Sequence, residues 1–356
     1  MTSLREACHH HRSAATQLRA LAATMLVPPL LLIGCSSVEE VDNAKAPADT
    51  AMGTAVEQAV SLELDPSRVT LHNPGASPRA QLVYTDATQM AETATRVTVS
   101  EGFNQFARPA TEFSPTAPAG GPVDSTSFIM HSTTHPEVMK TSAENTSETS
   151  FREVALTLDS PRVSVLEKSA SAESAAGFQL FWQADNSGRI SKLRLSAPTQ
   201  ADDTGRAIAE GAIVRMISLP VILPVEAIGV GAKWSIDSRV TGNSTLLQTT
   251  TYTLESIADT VLKLSVEIKQ HPSQGAVDIE TTVTNSGKLS VLNSDTTSNG
   301  TLQVDLTKAL PIGGEVAWTT RVIYGDKNSP SDIRVVQDST TAISFEDATT
   351  GLGSAT

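Results

Sequence analysis

The sequence predicts a mainly β protein. The expected architecture is one large antiparallel curved sheet, a half-barrel or sandwich, with one main amphipathic helix packed on it. An N-terminal signal peptide and a disordered tether are expected in front of it. Three observations predict this. Apolar residues recur with a period of two in run after run, which turns alternate side chains toward one buried face. Turn-forming clusters separate the runs at a spacing of roughly a dozen residues, as in a meander. Ser and Thr together make 82 of the 356 residues; Thr suits a pleated surface and Ser a turn. The length fits two average domains or one large β domain. A net charge of −13 excludes a nucleic-acid partner, because phosphate binding needs a clustered basic face.

The first element is a leader, residues 1–34. Arg5, Arg12 and Arg19 face a single acid, Glu6, and an apolar run of 13 residues follows from Leu21 to Ile33. That is short of the roughly 20 residues a membrane span needs, and it suits a signal-peptide core. The run ends in Leu32-Ile33-Gly34-Cys35, which resembles the lipobox of bacterial lipoproteins. The resemblance implies that the Cys35 thiol takes a diacylglyceryl group and that cleavage falls between Gly34 and Cys35. An ordinary secretory signal is the alternative.

Cysteine usage agrees with lipidation: the only other cysteine, Cys8, leaves with the leader, so no intrachain disulfide is available. Losing the leader takes the charge to −15, so the body has no electrostatic attraction to an anionic leaflet and two acyl chains must hold it. The expected location is therefore exported and lipid-anchored at the outer face of the cell membrane, or at the outer membrane where the host has two. Residues 35–59 are Ala-rich and acidic, without period, and read as a flexible tether.

The β domain is expected over 60–346, divisible into halves 60–200 and 220–346, with a disordered tail at 347–356. Val154, Leu156 and Leu158 alternate with small or polar residues, as do Phe178, Leu180 and Trp182. Leu262, Leu264, Val266 and Ile268 form the strictest run; Leu302, Val304 and Leu306 follow, then Val316, Trp318, Val322 and Tyr324 on one parity. Asp185–Gly188, Thr241–Ser244, Asn285–Gly287 and Ser298–Gly300 read as turns. Residues 107–149, rich in Pro, Ser and Thr, read as a long mobile loop with a short strand near Phe128.

The helix is expected over 202–219, capped by Asp202 or Asp203 and stopped by Pro220. Ile208, Ala209, Ala212, Ile213, Met216, Ile217 and Leu219 share one half-circle, which should lie across a sheet face. Arg206 and Glu210 make an i,i+4 pair at its edge, and Arg215 and Ser218 should point away from the sheet.

The segments Leu219–Trp234 and Gly300–Pro311, with the Asn186-Ser187-Gly188-Arg189 hairpin, resemble an uncharacterised family of secreted bacterial lipoproteins, a domain of unknown function. The resemblance spans roughly 60–346 and implies a lipid-anchored β-rich domain of no known activity. Gly229 and Gly231 read as a turn or a close backbone approach before the Trp234 strand.

Chemical signatures are scarce. No Gly-x-Ser-x-Gly or Ser-x-x-Lys occurs, and the one thiol left is the anchor. His131 and His135 are four apart, but Pro136 follows them, so solvated loop histidines are expected and no metal or cofactor. Asp202-Asp203 read as a cap and Glu39-Glu40 as tether. Three classes stay open: a structural or interaction lipoprotein, which is favoured; a carrier whose helix lies over a concave sheet; and an enzyme with dispersed residues. The carrier looks like the half-barrel lipid carriers of bacterial envelopes. Its expected ligand is a lipid or other apolar small molecule against Ile208, Ala212, Ile213, Met216, Ile217 and Leu219. A cavity of roughly 300 Å³ or more separates carrier from filled structural domain.

Overall fold

The computed structural model describes residues 56–349 apart from 58–59, 64–66, 90–91, 140–148, 241–245, 274–275, 279–287 and 327–332. The leader, Cys35, most of the tether and the tail beyond 349 lie outside the described residues, as do the expected turns at 241–244 and 285–287.

The described chain is mainly β, in one antiparallel sheet of 14 strands. They are β1 (Val60–Glu63), β2 (Arg68–Asn73), β3 (Thr93–Pro109), β4 (Asp124–Met139), β5 (Thr149–Val163), β6 (Gln179–Ala184) and β7 (Ile190–Ser196). Then come β8 (Lys233–Val240), β9 (Leu246–Ala258), β10 (Val261–Pro272), β11 (Ala276–Asp278), β12 (Lys288–Asp305), β13 (Gly313–Gly325) and β14 (Ile333–Asp347). Short helices α1 (Asp86–Gln89) and α2 (Ser169–Ser174) accompany one long helix, α3 (Asp203–Ile217).

Strands β3–β7 make one meander and β8–β14 another. They join where β14 pairs with β3, from Ile333↔Pro109 to Asp347↔Thr95. At the free ends β1 pairs with β7 and β2 with β8, giving the order β1-β7-β6-β5-β4-β3-β14-β13-β12-β10-β9-β8-β2. The two edge strands are thus successive in sequence, with only residues 64–67 between them. Five peptide steps reach about 17 Å. Thirteen strands laid flat at about 4.8 Å spacing would put those edges almost 60 Å apart. The sheet must therefore curl until its edges nearly meet, which goes further than a half-barrel.

The interior of this curl holds α3 and the segment after it. Asp202 caps α3, accepting from the Gly205 amide at 2.6 Å, and the helix ends at Ile217, two residues after Arg215 and before Pro220. Residues 219–223 are irregular and buried apart from half-buried Pro220, so their carbonyls need partners. Tyr252 Oη donates to Pro220 O at 2.8 Å, Tyr84 Oη to Val221 O at 3.3 Å, and Trp234 Nε1 to Ile222 O at 2.9 Å. Three of the chain's few aromatic side chains carrying a polar tip are used here, each giving apolar bulk to the core and one donor to the backbone.

The alternating runs around Val154, Phe178, Leu262 and Leu302 all face this core. The Asp185–Gly188 turn forms, Gly188 taking φ +95° and Asp185 Oδ1 accepting from the Ser187 and Arg189 amides. Gly229 is a close approach: a Cβ there would stand 2.0 Å from Ala76 O, while Gly231 takes φ +84°.

Two expectations need correction. Residues 107–149 are not one loop: β3 continues to Pro109 and β4 is a 16-residue strand. Its buried positions include Ser132 and Thr134, which pair with Thr93 and Asp86 rather than with apolar neighbours, so the alternation does not show in hydropathy. Ser298-Asn299-Gly300 is not a turn but the middle of β12, where Gly300 is required because Val316 stands 2.8–2.9 Å from where its Cβ would be.

Candidate functional site

The inward-facing residues change character along the strands. On β13 they run Val316, Trp318, then Thr320; on β14 Phe345, Ile343, then Thr341, Ser339 and Gln337; on β3 Val97, Val99, then Glu101. On β10 Ile268 gives way to Gln270, on β9 Tyr252 to Thr250 and Gln248, on β8 Ile236 to Ser238. The registers bring these changes side by side, so the curl has an apolar compartment and, beyond it, a polar one.

Part of the polar belt is fixed by its own hydrogen bonds. Gln248 Nε2 donates to Ser218 O at 2.9 Å, Gln270 Nε2 to Gln248 Oε1 at 2.7 Å, and Thr320 Oγ1 to Gln270 Oε1 at 2.8 Å. Thr296 Oγ1 continues the chain at 3.1 Å from Thr320 Oγ1. Such a satisfied network holds a wall in one arrangement.

Next to this wall lies a cavity of about 460 Å³. Trp318, Thr320, Val322, Gln337, Ser339 and Thr341 line it from β13 and β14, Glu101 and Phe103 from β3, Gln270 from β10, and Arg215 from α3. Arg215 Nε donates to Glu101 Oε1, the one ion pair of the lining. The expectation that Arg215 points away from the sheet is therefore corrected, since Arg215 meets β3; the Ser218 hydroxyl instead turns back to donate to the Arg215 carbonyl of its own helix. The reason is that Arg215, beside the exposed stripe of α3 formed by Ala207, Gly211 and Val214, still lies close enough to β3 to reach Glu101. Arg206 likewise makes its close contact with Glu57, at 2.7–2.8 Å and two-pronged, which holds the Glu57 carboxyl below its usual pKa; Glu210, the i,i+4 neighbour, attracts it without a hydrogen bond.

The apolar arc of α3 sits elsewhere. Ala209, Ala212, Ile213, Met216 and Leu219 are buried in the core, with Ile208 and Ile217 half-buried. Met216, Ile217 and Leu219 line a second cavity of about 60 Å³ with Tyr84, Arg152 and Trp182. That volume holds a few waters, well short of the few hundred Å³ that small-molecule sites occupy.

A buried ion pair borders this smaller cavity. Arg152 Nε and Nη2 donate to Asp86 Oδ1 and Oδ2, each at 2.6 Å, Thr134 Oγ1 donates to Asp86 Oδ2 at 2.8 Å, and the guanidinium lies 4.3 Å over the Tyr84 ring. Burial pushes the Tyr84 phenol up to about 12, against the opposing effect of Arg152. His131 and His135 stand on β4; His131 lies 3.6 Å from Glu92 and 3.7 Å from Asp159. Among the described residues no group of His, Cys, Asp and Glu is arranged to hold a metal.

Residues 215–311 match DUF6263, a family of unknown function. The matched segment runs from the last turn of α3 through β8–β12 and supplies Arg215 and Gln270 to the larger cavity; Glu101, Phe103, Trp318 and the β14 residues lie outside it. It also excludes the 186–189 hairpin. No curated protein matches the chain.

In the sequence Trp318 and Val322 stand out only as members of an alternating run and Arg215 only as a polar helix residue; no residue of the larger cavity is marked as part of a site. The signal that could have marked them is the switch from apolar to polar on one parity within a strand, as in Val97-x-Val99-x-Glu101 and Ile343-x-Thr341-x-Ser339 read in the same spatial direction.

Proposed function

We propose that this chain is an envelope lipoprotein, anchored through lipidated Cys35, whose curled sheet is a binding module for a small molecule. The observation that carries the binding part is the cavity of about 460 Å³ between β3, β13, β14 and α3. Its size falls in the range of ligand sites, and its wall is held by a closed hydrogen-bond network, so little ordering would be lost on binding. The competing reading, a structural or interaction domain with a filled interior, has in its favour the packed arc of α3; the larger cavity weighs against it. The anchoring part rests on Leu32-Ile33-Gly34-Cys35 and on the absence of any other cysteine after the leader. The membrane is then a partner through lipid alone.

Native mass spectrometry of the full chain, purified in detergent from its own host, tests the binding part. A reproducible mass beyond the lipidated polypeptide is expected, and a bare polypeptide in every preparation would overturn it. Fatty-acid labelling tests the anchor. Cys35→Ala should abolish the label and leave the leader attached, and a mature N-terminus elsewhere without acyl mass would overturn it.

A further inference from the structure

We propose, building on the binding reading above, that the molecule received by the larger cavity is a saccharide of one or two rings. Three features of the lining select it. The first is charge. Glu101 and Arg215 are the charged side chains of the lining, and they neutralise each other, so neither an anion nor a cation meets a net field there.

The second feature is the set of polar atoms left over. Gln248, Gln270, Thr320 and Thr296 are occupied with one another. Six groups facing the cavity keep spare capacity. Arg215 has used Nε alone, Glu101 one oxygen, and Gln337 its amide nitrogen, given to Gln105. The Ser339 and Thr341 hydroxyls and the Trp318 indole N–H make no hydrogen bond among the described residues. This remainder mixes donors and acceptors. A carboxylate or phosphate, which only accepts, would bring no donor to the second Glu101 oxygen or to the Gln337 carbonyl. An acyl chain would answer none of this spare capacity and would leave the Ser339, Thr341 and Trp318 donors unpaired, each at a desolvation cost. A ring of hydroxyls both donates and accepts, and answers both kinds.

The third feature is apolar surface placed among these groups. Trp318 belongs to the floor, and Phe103, on the inward parity of β3, is 48% exposed, with Val322, Val240 and Leu246 completing the lining. A sugar ring presents a C–H face as well as its hydroxyl rim, and an aromatic side chain covers that face at little conformational cost.

The source of the saccharide, a free sugar or the end of an envelope glycan, is a matter for the test. The full lipidated chain in a detergent without a sugar headgroup is titrated with maltose, trehalose, cellobiose and chitobiose, following tryptophan emission. Palmitate and citrate serve as comparators, and co-sedimentation with isolated cell walls reports glycan ends. At least one sugar should bind. Ser339→Ala and Thr341→Val should each weaken it about 3- to 10-fold, the loss expected for one neutral hydrogen bond, without moving the unfolding midpoint. Ser339→Trp should abolish it.

Binding to cell walls displaced by a disaccharide assigns the glycan source, and binding of free sugar alone assigns the soluble one. If palmitate or citrate binds and no sugar or cell wall does, the saccharide inference fails while the binding reading stands. If sugar affinity is untouched by all three substitutions, the site is elsewhere and the inference fails. If nothing binds, no mass adduct is found, and Ser339→Trp raises the unfolding midpoint as filling a void would, both readings fail.

Discussion

Replacing Asp86 by Ala should cost the fold about 3–5 kcal/mol, the range for removing one partner of a buried ion pair. The structure places this pair at the expensive end of ionic interactions. Both side chains are only 3% exposed, so screening by water is small. Two hydrogen bonds of 2.6 Å and a third of 2.8 Å from Thr134 converge on the one carboxylate. Without it, the Arg152 guanidinium keeps the Tyr84 ring face at 4.3 Å but loses its acceptors, and the Thr134 hydroxyl loses its partner as well. The double variant Asp86→Leu, Arg152→Met removes both charges and should recover most of the loss, because a buried pair gains little over well-packed apolar side chains. Equilibrium urea unfolding of the full chain, followed by tryptophan emission, measures all of these, and the double-mutant cycle gives the coupling. A cost below about 1 kcal/mol for Asp86→Ala would refute the reasoning, since it would mean that Arg152 finds water and is not buried.

Gly300→Ala should destabilise by about 1–3 kcal/mol, because the new Cβ meets Val316 at 2.8–2.9 Å; Gly211→Ala, on α3 with nothing within 4 Å, should instead stabilise by about 0.5–1 kcal/mol. Thermal melts of the two variants check the contrast. All three tyrosines are shifted up from the usual value of 10 with burial as the first cause, Tyr84 to about 12. Absorbance at 295 nm should therefore stay flat through pH 10. Unfolded tyrosines ionise there and folded ones do not, so stability should fall as pH climbs from 10 toward 12. Burial pushes the Asp347 carboxyl up, but hydrogen bonds from Lys308 at 2.6 Å and from Thr349 outweigh it and hold it at about 2. Its contribution is present above the unfolded value of 3.8 and lost as pH falls toward 2, so the stability difference between Lys308→Met and the parent should shrink over that window.

The sequence alone determined the class of fold and several of its local devices. Strict alternation at Leu262–Ile268 can bury one face only as a strand. Asp202 could be read as a cap and Asp185–Gly188 as a turn, because each works within a few residues of itself. Strand β4 and the middle of β12 escaped that reading. Ser132 and Thr134 are buried against polar partners far away in the chain, and Gly300 serves a neighbour, Val316, on another strand.

Tertiary structure decided three further things. It decided that the sheet curls until β1 and β2 nearly meet, since that follows from strand order and not from any one strand. It decided that β3 stands beside the edge of α3's exposed face, which sends Arg215 to Glu101. And it decided where the free volume lies. Whether the apolar arc of α3 lines a void or fills one depends on what stands opposite, and the strands opposite fill all but about 60 Å³ of it. The larger void opens where inward side chains of β3, β8–β10, β13 and β14 turn polar together. That coincidence is set by register across strands more than 200 residues apart, and no local pattern carries it.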